Sequence, residues 1–123
     1  MIRGLDHVQL AAPAGSEERA RTFFGGLLGL QELAKPEQLA TRGGVWFACG
    51  EHELHIGVEP DFRPARKAHP AFRVSDVDAL GRRLRDAGLE PRDDQEIPSV
   101  RRFYVDDPFG NRLEFTESGP DGG

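Results

Sequence analysis

The chain is poor in several residues that decide whole classes of protein: one cysteine, one tryptophan, one tyrosine and one methionine occur in 123 residues. Cys49 alone cannot form an internal disulfide. That removes the small, disulfide-stapled secreted class and makes a reducing cytoplasm the expected compartment. No apolar run approaches the roughly 20 residues that a membrane-spanning helix needs. The opening MIRGLDHVQL also lacks the long apolar core of a signal peptide. Positive charge is in short supply too: 16 Lys and Arg stand against 21 Asp and Glu, a net charge of −5. Such a surface has no general attraction for phosphate backbones or anionic membranes, so neither nucleic acid nor membrane is an expected partner.

What is present suits one soluble domain, 37% hydrophobic and 30% charged. At this length roughly two thirds of the unfolded surface can be buried. LDHVQLAAP alternates in hydrophobicity and ends at Pro13, the pattern of a strand. Ser16 is the expected N-cap of a helix through Leu28, with Ala20, Phe23, Phe24, Leu27 and Leu28 on its buried stripe. Gly25 and Gly26 weaken that helix. A short segment at LQELAK and the strands VWFAC and ELHIGVE follow. The second half repeats the order. HPAFRVS reads as a strand, Ser75 with Asp78 resembles a capping box, and Val77, Leu80, Leu84 and Ala87 line a helix that stops at Gly88. LEPRDD, VRRFYVDD and NRLEFTE complete it. The plan is therefore α+β, strand–helix–three strands, twice: a module over 1–59, a linker over 60–68, a second module over 69–117 and a flexible tail over 118–123.

Repetition gives matched positions meaning. His7 and His69 open the two halves, and His55 and Glu114 sit on the last strand of each, with nearly the same length of chain between partners. Strand side chains alternate faces. His7 and Gln9 oppose Val8 and Leu10; Glu53 and His55 oppose Leu54 and Ile56. His69 and Arg73 oppose Phe72 and Val74, and Arg112 and Glu114 oppose Leu113 and Phe115. The apolar faces are expected beneath the helices. The other faces carry three imidazoles and a carboxylate in equivalent registers, a sensible donor set for one divalent transition metal. Zinc, nickel, iron, manganese and cobalt all suit it. His52 falls on the opposite face or in the turn and is set aside.

LDHVQL, ELHIGVE, HPAFRVSDVDAL and DPFGNRLEF, in that order, resemble the vicinal oxygen chelate superfamily of glyoxalases, bleomycin resistance proteins and extradiol dioxygenases. The resemblance covers nearly the whole chain. It implies two βαβββ modules, each a quarter-barrel of sheet cupped around a cavity, with metal ligands at His7, His55, His69 and Glu114. It also implies a homodimer and a small-molecule substrate that chelates the metal through adjacent oxygens, as in lyases, isomerases or dioxygenases. His55 departs from glyoxalase I, which has a glutamate there, so Glu114 is the one carboxylate among the matched ligand positions. Glu114 and Glu53 are the candidate bases; Gln9, Arg73, Tyr104 and Arg112 are candidate substrate contacts. Arg73 and Arg112 read equally well as partners of cavity carboxylates, and Tyr104 as a strand aromatic. The alternative reading is a non-catalytic sequestering protein of the bleomycin resistance type, with Trp46, Phe47, Phe103 and Tyr104 lining its groove. Four filled ligand positions favour the enzyme.

Overall fold

The computed structural model describes residues 1–117; the expected flexible tail at 118–123 lies outside the described residues. The chain divides into two compact units, Met1–Pro64 and Ala65–Gly123. In the first, β1 (His7–Ala12) leads into a short helix α1 (Glu17–Ala20), which widens over Arg21–Leu27. Then come β2 (Glu32–Leu33), a single turn at Glu37–Leu39, β3 (Val45–Cys49) and β4 (His52–Val58). The second unit contains β5 (Ala71–Val74), α2 (Val77–Asp86), β6 (Arg92–Asp94), β7 (Arg101–Asp106) and β8 (Arg112–Glu117). The sheets run β1-β4-β3-β2 and β5-β8-β7-β6. In each, the first and last strands of the unit pair in parallel and the remaining pairs are antiparallel. This is the α+β fold of two βαβββ modules that the repeated pattern predicts.

Alternation explains which face each strand buries. Leu10, Ala12, Val45, Phe47, Leu54 and Ile56 are buried in the first unit together with Ala20, Phe23 and Phe24 of the helix. Phe103, Val105, Leu113 and Phe115 are buried in the second with Val77 and Leu84 of α2. At roughly 1.5–3 kcal/mol for each large side chain removed from water, these two faces are what hold the helices on the sheets.

Five local expectations need correction. The first helix does not continue as a regular α-helix to Leu28: past Ala20 its bonds lengthen, with Leu28 N–H reaching Phe23 O at 2.9 Å. Gly25 and Gly26 at that point offer little resistance to a wider turn. Ser16 occupies the N-cap but makes no capping bond, and its buried hydroxyl lacks a partner among the described residues. In α2 the cap is Asp76, whose Oδ1 accepts the Ala79 N–H at 3.0 Å, while Asp78 pairs with Arg101 instead. Ala87 follows the helix as its exposed C-cap rather than lining its inner face, and Gly88 takes the positive φ of +88° that ends it. His69 lies two residues before β5 rather than within it, although Glu114 N–H still bonds Pro70 O at 3.1 Å.

Candidate functional site

Strand register places the matched residues on matched rungs. On β4, His55 lies between Gln9 of β1 and Trp46 of β3. On β8, Glu114 lies between Ala71 of β5 and Tyr104 of β7. Two residues earlier on the last strands come Glu53 and Arg112, with His7 opposite Glu53. Each unit thus assembles a polar cluster on the face of its sheet away from the apolar side chains.

In the first unit the cluster is built from rings. Trp46 stacks on His55 at 3.8 Å between centroids with planes 3° apart, and His7 stacks on His55 at 4.1 Å and 18°. His55 is buried, at 5% exposure. Its Nε2 faces Glu53 Oε1 at 2.9 Å. His7 Nδ1 donates to Asp6 Oδ2 at 2.9 Å, because a carboxylate only accepts; this leaves the His7 Nε2 lone pair for a cation or a ligand. Two rings stacked nearly in parallel do not aim their nitrogens at one point, so binding one ion through both requires one ring to turn. Gln9 crosses over the backbone of Gly57, where a Cβ would lie 2.7 Å from Gln9 Nε2; only a glycine admits the Gln9 side chain in that pose.

In the second unit the cluster is built from charges. Glu114 is buried, at 8% exposure. Its Oε1 faces His69 Nε2 at 2.9 Å and its Oε2 faces Arg102 Nη1 at 3.5 Å. His69 Nδ1 donates to the Lys67 carbonyl at 2.8 Å, which fixes the ring and directs Nε2 at the carboxylate. Arg102 Nη2 donates to Asp94 Oδ2 at 3.0 Å, and its buried Nε has no partner among the described residues. Tyr104 meets the His69 ring edge-on at 5.5 Å, and the Arg112 guanidinium lies 4.3 Å over the Tyr104 ring. Burial, followed by the charge on Glu114, pushes the Tyr104 hydroxyl above the usual phenol range. The Glu96 N–H and the Arg102 charge hold the Asp94 carboxyl below the usual range. Arg102 also borders a cavity of about 520 Å³ that includes Asp94, Ile97 and Val100.

The structure therefore brings His7, His55, Glu53 and Gln9 together in one unit, and His69, Glu114, Tyr104 and Arg112 in the other. Arg73 is exposed on β5 opposite Thr116, two residues along from the Glu114 rung. Within either unit the described residues gather no three metal-ligating side chains around one point; each carries two of the four expected ligands. Asp6, Asp94 and Arg102 also join the clusters. Period two on β7 puts Arg102 on the face of Tyr104, so its presence was readable in the sequence. Asp94 depends on the register of β6 with β7, which short polar strands do not announce.

No curated protein sequence matches the chain. Among solved structures, a protein from Bacillus anthracis assigned to the glyoxalase family is 56% identical, with a TM-score of 0.93 over 95% of this chain and 96% of that one. Lactoylglutathione lyase from Agrobacterium tumefaciens is 20% identical, with a TM-score of 0.74 over 94% of each chain. A mutant of the fosfomycin resistance protein FosX from Listeria monocytogenes, complexed with Mn(II) and 1S,2S-dihydroxypropylphosphonic acid, is 17% identical, with a TM-score of 0.81 over 99% of this chain and 97% of that one. At those lower identities the likeness is one of fold. The family model spans nearly the entire described chain, residues 4–115, and with it the sequence belongs to the glyoxalase/bleomycin resistance protein/dioxygenase superfamily.

Proposed function

We propose that this protein is a metal-dependent enzyme of the glyoxalase or dioxygenase type, acting on a small substrate that chelates a divalent metal through adjacent oxygens. The ligands proposed for it are His7, His55, His69 and Glu114. The observation that carries the reading is the fit of the second-unit pair. His69 Nε2 and Glu114 Oε1 stand 2.9 Å apart, close to the ~3 Å between neighbouring donors on an ion with bonds of about 2.1 Å. The space between them suits a proton or a cation. The Nδ1 atoms of His7 and His69 are both engaged, by Asp6 and by the Lys67 carbonyl, which is the outer support that ligand imidazoles ordinarily have.

A bound divalent ion supplies Lewis acidity toward negative charge developing on a substrate oxygen. The chain's own residues account for the rest. Glu53, half-exposed beside His55 Nε2, is placed to take or return a proton on the substrate side of the cluster. Tyr104, kept protonated by burial and by Glu114, serves as a hydrogen-bond donor rather than a base. Arg112 spreads over Tyr104 and offers a planar guanidinium to a substrate oxyanion. Gln9 contributes an amide to the same purpose in the first unit. Arg73 fits this role less well, since it stands apart on β5. We further infer a cytoplasmic homodimer.

A second reading has one specific observation in its favour. His55 is held between two parallel rings with its Nε2 on Glu53, which suits a ligand-sequestering groove of the bleomycin resistance type as well as a metal site. Metal analysis of the purified protein, repeated after adding Mn(II) or Zn(II) to stripped protein, separates them. Near-stoichiometric uptake is expected, with at least tenfold weaker binding in His55→Ala and in Glu114→Ala. A folded wild type that neither carries nor takes up a transition metal would overturn the enzyme reading and leave the groove.

A further inference from the structure

Resting on the metal reading above, we propose that Arg102 and Asp94 are positioning residues that set how tightly Glu114 holds a divalent cation, by opposite charges arranged in series behind it. The series is explicit: Asp94 Oδ2 to Arg102 Nη2 at 3.0 Å, Arg102 Nη1 to Glu114 Oε2 at 3.5 Å, and Glu114 Oε1 to His69 Nε2 at 2.9 Å. Arg102 takes one carboxylate oxygen and leaves the other toward His69, so Glu114 is presented as a one-oxygen donor. At 3.5 Å the inner contact is long for a hydrogen bond, and Arg102 acts on Glu114 chiefly through its charge. The side chains of Arg102 and Asp94 are only 18% and 15% exposed, so solvent and salt screen them weakly.

The direction of each effect follows from the order of the charges. Arg102 is one carboxylate away from the cation position and opposes a second positive charge there. Asp94 lies behind Arg102 and offsets it. Glu114 is already held by its strand, by burial and by His69, so its added freedom on losing Arg102 is a smaller effect than the lost repulsion. Removing Arg102 tightens cation binding; removing the Asp94 charge weakens it. A merely structural role for the pair gives the same sign for both, since each loss would then only loosen Glu114.

The test is Mn(II) binding to metal-stripped protein, followed by electron paramagnetic resonance of the free ion and by calorimetry. The variants are Arg102→Met, Arg102→Gln, Arg102→Lys and Asp94→Asn, with thermal melts run on each. A unit charge one carboxylate from a divalent ion alters its affinity roughly tenfold even at the dielectric of water, so Arg102→Met is expected to bind Mn(II) about tenfold more tightly. The Asp94→Asn variant, acting from further away, is expected to bind roughly fivefold more weakly. Arg102→Lys, with the charge kept, stays within about threefold of wild type, and Arg102→Gln, with the charge removed and an amide kept, carries the comparison if the methionine variant does not fold. Equal signs for Arg102→Met and Asp94→Asn, or no change in either, would overturn the charge series while leaving the metal reading intact. A folded wild type that binds no Mn(II) overturns both.

Discussion

The two units hold equivalent side chains by different physics. On the β4 rung, His55 is clamped between the faces of Trp46 and His7. On the β8 rung, Glu114 is clamped between His69 and Arg102, with Asp94 behind. Stacked rings fix an orientation through contact area and are indifferent to salt. Charges fix it through a field, and that field also reaches whatever binds. The duplicated backbone therefore supplies a place, and each unit fills it with its own means of restraint.

The comparison breaks most violently at the backbone of the first unit. Gly44 has φ +89°, and a Cβ there would sit 2.2 Å from the carbonyl oxygen of Ile56, the neighbour of His55 on β4. Gly44→Ala is expected to lower stability by roughly 3 kcal/mol in urea unfolding, since backbone strain and a backbone clash combine. Glu114→Ala comes next: it strips His69 of its partner and leaves Arg102 to Asp94 alone, at a cost of about 2 kcal/mol. Trp46→Leu, on the ring-stacked side, should cost about 1–2 kcal/mol and loosen His55, with the loss unchanged between low and high salt. A loss that grew or shrank with salt would contradict the contrast between the units.

The smallest effect is a titration. Glu17 Oε2 accepts the Gly44 N–H at 2.7 Å, and this bond, ahead of the nearby Arg21 and Lys35, holds the Glu17 carboxyl below the usual glutamate range. A depressed folded-state value means stability present above the unfolded value, about 4.3, and lost as pH falls through the folded one. Glu17→Gln is therefore expected to cost about 0.5–1 kcal/mol at neutral pH, discounted for partial exposure, and nothing once both states are protonated. Melting temperatures of wild type and variant across that range should converge on the acid side.

Much of the fold was legible because period two survives intact in β1, β4, β7 and β8, and because the order of elements is repeated. The same alternation put His7 with Gln9 and His55 with Glu53. Details one residue wide were less legible. Ser75, Asp76 and Asp78 are all competent caps, and only the backbone course gives the role to Asp76. The stacking of Trp46 on His55 needs the β3–β4 register, and Asp94 needs that of β6, neither of which is carried by hydrophobic pattern. His69 lies just outside its strand because Pro70 has no N–H to extend the ladder there.

Trp46 is the chain's one tryptophan and lies flat on His55. The protein thus carries an optical reporter at the heart of its first cluster. Any ligand, ion or proton that draws His55 away from that face changes the surroundings of every indole in the sample, so occupancy can be followed by intrinsic fluorescence without a label.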